Sequence, residues 1–246
     1  MLSCIACFAN RHSTLVFPMH IETARHNMIE QQIRTWEVLD QNVLNLLQAV
    51  RREEFAPSVY RSLAFADLEL PLAFPGGPAD AHGQTMMPPK LEARIIQTLA
   101  LQKHESVLEI GTGSGYLTAL LAMCAKHVTS IEIFPEFTAA ARVSLQRAGI
   151  ANVALRTGDG ARAQPELTGG QRFDAIILGG STPVLPAAFL DALQPGGRLF
   201  AVIGDAPAMV ATLVIKPDSG AMQQSRLFET LLEPLLHAEQ PIRFVF

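Results

Sequence analysis

In residues 21–50, and again from about 89 to 101, the apolar side chains recur every three to four residues, which is the period of amphipathic helices. A first helix is predicted to carry Met28 and Ile33 on its inward face. A second helix is predicted to begin at Asp40, a residue type that caps helix N-termini, and to end at Val50. A third is predicted from about Pro89 to Leu101. The N-terminal part of the chain is therefore expected to be helical.

From residue 107 onward, short apolar runs alternate with segments of helical period. The runs predict strands at 107–110, 128–132, 153–157, 173–178 and 199–203, the last entered through a sharp turn at 193–198. Such alternation is typical of an α/β fold with a parallel, doubly wound sheet. Residues 210–216 and 226–232 have no helical pattern between them, so they are predicted to close the sheet as a hairpin with an antiparallel C-terminal strand.

Three alternating glycines, Gly111, Gly113 and Gly115, lie between the first predicted strand and a helix. A dinucleotide-binding loop would place its third glycine one residue later and would bind a pyrophosphate, which Glu109 would repel. A ligand that carries an ammonium and a sulfonium suits this carboxylate, and S-adenosyl-L-methionine is such a ligand. A nicotinamide site and a glycine-rich turn that binds nothing are the alternatives.

Acidic residues also follow the next two predicted strands, and in a doubly wound sheet the ligand lies over these strand ends. Glu132 is placed to accept hydrogen bonds from ribose hydroxyls, and Asp159 to accept one from an adenine amino group. The simpler interpretations are a surface charge for Glu132 and a turn-forming Asp-Gly pair for Asp159 and Gly160. The candidate donor-binding residues are Glu109, Gly111, Thr112, Gly113, Ser114, Gly115, Glu132, Asp159 and Gly160.

The amino-acid composition reduces the number of functional classes to which the protein could belong. The 246 residues are 49% hydrophobic and 17% charged, enough for a sizeable core, and the net charge of −4 gives no basic surface for nucleic acid. No apolar run reaches the length of a membrane span. Three cysteines, an odd number, favour a reducing compartment such as the cytoplasm, and the seven histidines have no metal-ligand spacing. We expect a cytoplasmic monomer without a metal.

Three regions are predicted along the chain. Residues 1–18 are poor in charge and lack helical period, so they are expected to be a non-native or disordered extension with Met19 as the true start. A signal peptide is the rival interpretation, although the segment has no basic beginning. Residues 19–83 are predicted to form a helical cap that ends in a loop rich in proline and glycine, and 84–246 to form the donor-binding domain.

From Met28 to about Leu235 the order of these features resembles the protein-L-isoaspartate O-methyltransferases. The resemblance is carried by Arg52-Glu53-Glu54-Phe55 before Pro57, by residues 83–86, by the motif at 107–118, and by 158–160, 193–199 and 232–235. It implies the Rossmann-like fold of class I methyltransferases and S-adenosyl-L-methionine as methyl donor. It also implies a peptide or protein substrate, methylated on the free carboxylate of isoaspartyl residues as the first step of repair.

The chain departs from the family in the loop that the resemblance assigns to the acceptor. The family loop reads Gln-Thr-Ile-Ser, followed after one residue by Pro, and its Ser is the expected active-site residue. Here Met87 takes the position of that Ser. The resemblance thus gives Thr85 and Met87 as the catalytic positions and Gln84, Met86 and Pro88 as the substrate loop. A methyltransferase of the same fold with another acceptor, and a non-catalytic protein that binds S-adenosyl-L-methionine, remain as alternatives.

Overall fold

The computed structural model describes residues 21–72 and 83–241. The expectations for the extension at 1–18 and for most of the loop that precedes residue 83 lie outside the described residues.

The N-terminal region is helical, as predicted. Helix α1 (Ile21–Met28) continues through a π-helical turn (Ile29–Ile33) and a 3₁₀ turn (Arg34–Trp36), and α2 spans Gln41–Ala49. The carboxylate of Asp40 accepts a 2.8 Å hydrogen bond from the backbone N–H of Asn42, which confirms the predicted N-cap. Two 3₁₀ turns follow at Arg52–Glu54 and Ser58–Leu63.

A small antiparallel ladder, which the sequence did not predict, connects this region to the rest of the chain. Strand β1 (Leu70–Pro71) pairs with β2 (Thr85–Met86), and the backbone N–H of Leu72 donates a 2.9 Å hydrogen bond to the carbonyl of Gln84. The ladder fixes the start of the loop that contains Met87.

The main sheet has seven strands within the described residues, in the order β5-β4-β3-β6-β7-β8-β9. The first five in this order are parallel, as predicted, and β8 pairs antiparallel with both of its neighbours. The strands are β3 (Ser106–Ile110), β4 (His127–Glu132), β5 (Val153–Thr157), β6 (Phe173–Leu178), β7 (Leu193–Asp205), β8 (Ala208–Ile215) and β9 (Gln223–Glu229).

The sharp turn predicted before the fifth parallel strand lies inside that strand. Leu193 pairs with Phe173 and Arg198 with Ala175, so residues 194–197 bulge out of β7. The bulge passes so close to other backbone that a Cβ on Gly197 would lie 2.8 Å from the carbonyl oxygen of Gln194. The strand therefore begins earlier than its apolar run.

Helices cover both faces of the sheet. After α1 and α2 they are α3 (Pro89–Leu99), α4 (Tyr116–Cys124), α5 (Pro135–Arg147), α6 (Pro165–Thr168) and α7 (Ala187–Asp191). Helices α1–α4, with Leu145 of α5, pack against the face that includes Val107 and Phe200, while α7 packs on the other face through Phe189. The predicted doubly wound α/β architecture is confirmed. None of the helices in the described ranges has the length and hydropathy of a membrane span.

Candidate active site

The glycine loop leaves the end of β3 and opens helix α4. Gly111, Gly113 and Gly115 have φ angles of +91°, +52° and +82°, a region that side chains with a Cβ rarely adopt. Gly115 is the N-cap of α4 and Ser114 accepts a 3.2 Å hydrogen bond from the backbone N–H of Tyr116. The alternation of glycines is thus a requirement of the backbone path between strand and helix.

A cleft opens to solvent above this loop, at the carboxyl ends of the parallel strands. The cleft lies at the boundary between β3 and β6. These strands are neighbours in the sheet, but the chain continues from β3 toward one edge and from β6 toward the other. Such a point is the usual ligand position in doubly wound sheets. Most of the residues selected from the sequence line it: Gln84, Thr85, Met86, Met87, Gly111, Thr112, Gly113, Ser114, Glu132, Asp159 and Gly160. Gly115 and Pro88 stand behind the lining as helix N-caps of α4 and α3.

Glu132 ends β4 and connects two loops of the cleft. One carboxylate oxygen accepts a 2.8 Å hydrogen bond from Gly113 N–H and the other a 3.0 Å bond from Phe134 N–H. Burial raises the pKa of Glu132, while the backbone N–H donors oppose this rise by stabilising the charged form. Each oxygen retains acceptor capacity toward a ligand.

Asp159 lies at the cleft after β5 and pairs with a histidine that the sequence did not point to. One of its oxygens accepts a 3.0 Å hydrogen bond from Ala161 N–H, and the other lies 2.8 Å from Nδ1 of His237. His237 comes from the C-terminal segment, and only the return of the chain over the cleft brings it there.

Glu109 was expected to face the ligand, and the structure corrects this. Its side chain is fully buried on the opposite face of β3 from the cleft-lining Ile110, because successive residues of a strand point to opposite faces. One oxygen accepts 2.6 Å hydrogen bonds from the hydroxyls of Thr118 and Ser130, and the other has no partner. Burial, the largest cause, raises the pKa of Glu109 to about 8. Glu109 therefore joins β3 to α4 and β4 and does not face the cleft.

The substrate loop forms the opposite wall of the cleft. Thr85 donates a 3.3 Å hydrogen bond from Oγ1 to Glu69, a carboxylate whose pKa is raised by burial. Met86 and Met87 are both buried, and the carbonyl of Met87 accepts a 2.6 Å hydrogen bond from Arg52. The side chains of Met86 and Met87 thus give this wall of the cleft an apolar surface, and the backbone carbonyl of Met87 is held in place by Arg52.

Glu92, on α3, also lines this wall and was missed from the sequence. It is 2% exposed and pairs with Arg52. Burial, partly offset by Arg52, raises the pKa of Glu92 to about 7. A signal was present: Glu92 precedes Ile95, Ile96 and Leu99 at the helical spacing of an inward face, where a carboxylate is unusual.

The segment at 232–236 completes the cleft. It reaches the sheet through Ser181, which pairs with Pro234 and whose Oγ donates a 2.8 Å hydrogen bond to the carbonyl of Leu232. A Cβ on Gly180 would lie 2.9 Å from the side chain of Leu235 and 3.0 Å from the carbonyl oxygen of Glu233, so glycine is favoured at this close approach. In the structure, residues 232–235 contact the sheet through a single β-bridge, between Pro234 and Ser181.

The charges of the cleft are of one sign. Its charged side chains within the described residues are Glu92, Glu132, Asp159 and Glu233, with no lysine or arginine among the described lining residues. A cationic ligand is therefore favoured over an anionic one.

Comparison with known proteins agrees with this geometry. Residues 23–240 match the family model of protein-L-isoaspartate(D-aspartate) O-methyltransferase. The chain is 34% identical over 212 residues to a protein-L-isoaspartate O-methyltransferase of Koribacter versatilis, covering 86% of this chain and 90% of that protein. A Myxococcus xanthus protein of the same name is 40% identical over 167 residues, 68% of this chain and 74% of its own.

Solved structures share the fold. A Plasmodium falciparum protein described as a protein-L-isoaspartate O-methyltransferase in complex with S-adenosyl-L-homocysteine superposes with a TM-score of 0.71 at 20% identity, over 87% of this chain and 97% of that one. A second protein-L-isoaspartate O-methyltransferase has the same TM-score at 25% identity, over 85% of this chain and 65% of that one. The extent of the family match and the curated relatives show that this chain belongs to the protein-L-isoaspartate(D-aspartate) O-methyltransferase family.

Proposed function

We propose that this protein transfers a methyl group from S-adenosyl-L-methionine to the free carboxylate of isoaspartyl residues in damaged proteins. The observation that carries the proposal is the shared cleft, in which the glycine loop at Gly111–Gly115 and the substrate loop at Gln84–Met87 face each other. Family membership supports the same conclusion.

The donor-binding residues suit S-adenosyl-L-methionine. The negative charge of the cleft, from Glu132, Asp159 and Glu233, complements the sulfonium and ammonium of this donor, which supplies an activated methyl group. Glu132 is assigned to the ribose hydroxyls and Asp159 to the adenine amino group, since both have free acceptor capacity at the strand ends. Glu109 contributes indirectly, by holding β3 to α4, the elements on either side of the glycine loop, and to β4.

The acceptor needs no general base, because a carboxylate is already ionised near pH 7. Its oxygen forms the new bond to the methyl carbon as the carbon–sulfur bond breaks, and the bond pair goes to sulfur, so an anion and a cation yield a neutral ester and a neutral thioether. The cleft contributes by holding the two reactants in line and by excluding water. The apolar side chains of Met86 and Met87 suit this exclusion.

Holding the acceptor falls to backbone groups of the substrate loop. Met87 has no hydroxyl, and the hydroxyl of Thr85 donates to Glu69. The acceptor carboxylate would therefore be bound by backbone N–H donors, as anions commonly are, with Thr85 joining if its bond to Glu69 is exchanged.

The direct test is transfer of labelled methyl to an isoaspartyl peptide, with the aspartyl isomer of the same peptide as control. We expect turnover on the isoaspartyl peptide alone. Calorimetry with S-adenosyl-L-homocysteine runs beside it. Binding of this product without turnover would overturn the proposed acceptor while leaving the donor site in place.

Glu92 favours a second candidate, a methyltransferase that acts on an amine or hydroxyl. Such an acceptor must lose a proton, and a buried carboxylate with a pKa of about 7 beside Met87 is suited to take it. Transfer to amine or hydroxyl compounds but not to isoaspartyl peptides, lost in Glu92→Gln, would favour this candidate.

The wider setting is part of the same proposal. We infer that residues 19–83 act as a cap on the substrate side and 84–246 hold the donor, although the two share one apolar core. The odd cysteine count supports a reducing, cytoplasmic location, and the net charge of −4 supports a peptide or protein substrate over nucleic acid. A monomer suffices, because one chain supplies both walls of the cleft.

A further inference from the structure

Arg52 is completely buried behind the substrate loop and donates to three separate segments. Its Nε donates a 2.8 Å hydrogen bond to the carbonyl of Ala64, and its Nη2 donates a 2.6 Å hydrogen bond to the carbonyl of Met87. Its Nη1 pairs with the carboxylate of Glu92 on α3. One guanidinium thus joins the N-terminal cap, the substrate loop and the helix that follows this loop.

The same guanidinium also reaches the donor side of the cleft. It stacks 4.9 Å from the ring centroid of Tyr116, the first residue of α4 after the glycine loop. The ring of Phe55 also packs against the Tyr116 ring, with 5.7 Å between their centroids. Arg52 is therefore in contact with the elements that carry both reactants.

Stability alone is a weak reason for such a pair. Buried ion pairs lose most of their attraction to desolvation, and well-packed apolar side chains in the same place are often equally stable. A planar guanidinium, however, fixes the directions of several hydrogen bonds at once. Arg52 thus gives the carbonyl of Met87 a hydrogen-bond donor in a defined direction. Met87 lies just after the end of β2 at Met86.

We propose that Arg52 and Glu92 are positioning residues that hold the backbone of the substrate loop at Met87 in the geometry needed by the acceptor. The proposal rests on the proposed function for its kinetic consequence. Its structural consequence, an ordered loop, can be measured without any turnover.

The first test is Arg52→Lys, which retains the charge but cannot reproduce the three directed hydrogen bonds. We expect the acceptor KM to rise by roughly tenfold to a hundredfold, the range for loss of a hydrogen bond from a charged donor. The affinity for S-adenosyl-L-homocysteine should change by less than about threefold, because the loss is expected to affect the acceptor and not the donor. Hydrogen exchange of peptides covering residues 84–88 should become at least roughly tenfold faster in the folded protein.

The double variant Arg52→Leu with Glu92→Leu separates positioning from stability. Removal of both charges should recover most of the melting temperature lost in the single variant Arg52→Leu, in which the buried carboxylate of Glu92 loses its charged partner. Acceptor KM and loop exchange should stay impaired. Recovery of all three properties together would show a purely structural pair and overturn the proposal.

Arg25 provides a matched control. It is also buried and pairs with a buried carboxylate, Glu53, at 2.5 Å, and it stacks on Phe65. Among the described residues, its ion pairs and ring contact lie within the N-terminal region and do not include the substrate loop. Arg25→Lys should lower the melting temperature while acceptor KM and exchange at 84–88 stay within about twofold of the native values. If Arg25→Lys raises the acceptor KM as much as Arg52→Lys, the effect is general loosening and the proposal fails.

The two proposals fail in different ways. If the native protein transfers no methyl to isoaspartyl peptides, the proposed function fails. Hydrogen exchange at residues 84–88 then still decides whether Arg52 orders the loop. If the native protein is active but Arg52→Lys leaves both the acceptor KM and loop exchange unchanged, the positioning role fails alone.

Discussion

The backbone N–H of Gly113 donates a 2.8 Å hydrogen bond to the side chain of Glu132, which ties the glycine loop after β3 to the end of β4. One carboxylate thereby fixes the loop and faces the cleft. Two predictions depend on this pair.

Glu132→Ala should weaken binding of S-adenosyl-L-methionine by about 1 to 3 kcal/mol, because buried ligand hydroxyls would lose a charged acceptor. Calorimetry measures the change, and Glu132→Gln, which keeps one acceptor oxygen, should lose less. Exposed Glu136, in the first turn of α5, provides the control as Glu136→Ala. Unchanged donor affinity in Glu132→Ala would return Glu132 to a loop-fixing role only.

Gly113→Val should abolish donor binding while the fold is kept. Gly113 has φ of +52° and its Cβ would lie 3.1 Å from the side chain of Leu72, so valine must distort the loop at the cleft. Gly149→Val is the matched control, since Gly149 has φ of +71° but open space around its Cβ. Both variants should lower the melting temperature by a similar amount, because both place valine at a positive φ. Only Gly113→Val should lose affinity for the donor.

Glu109 should make the protein less stable as pH rises. In the unfolded chain this carboxyl ionises near its ordinary value of 4.5, whereas in the fold it stays protonated up to a pKa of about 8. Between these values the folded state binds more protons, so the free energy of unfolding falls as pH rises from about 4.5 to about 8, by roughly a few kcal/mol at about 1.4 kcal/mol per pH unit.

Glu109→Gln tests this dependence, because glutamine resembles the protonated acid and can still accept from Thr118 and Ser130. Denaturant unfolding across pH 5 to 8 should show a flatter profile in this variant, with the remaining slope supplied in part by Glu92, whose pKa is raised in the same direction. An identical slope in the two proteins would mean that Glu109 ionises normally in the fold.

Met87→Ser should raise turnover on isoaspartyl peptides by roughly tenfold to a hundredfold, because a hydroxyl that donates to a charged acceptor is worth about 1.5 to 3 kcal/mol. Met87→Ala removes the same side chain without adding a hydroxyl and separates donation from widened space. Thr85→Val should lower turnover. If Met87→Ser and Met87→Ala behave alike, the hydroxyl does not bind the acceptor.

The sequence by itself determined the fold class and several residues that line the cleft. Apolar runs at 107–110, 128–132, 153–157 and 173–178 lie within one residue of β3, β4, β5 and β6. The runs are clear because β3, β4 and β6 are buried on both faces and such strands are mainly apolar, whereas the edge strand β5 is half-buried and includes Arg156. Gly111, Gly113 and Glu132 were located from local backbone requirements and from the rule that ligands lie at strand ends, and all three line the cleft.

Tertiary structure alone decided the remaining features, each of which depends on residues distant along the chain. The sequence suggested a ligand contact for Glu109, and only the pleat of β3 shows that this side chain points away from the cleft. His237 meets Asp159 across 78 positions and Arg52 meets Glu92 across 40. Local periodicity contains no information on such pairs, because they form only when packing of the whole chain brings their side chains together.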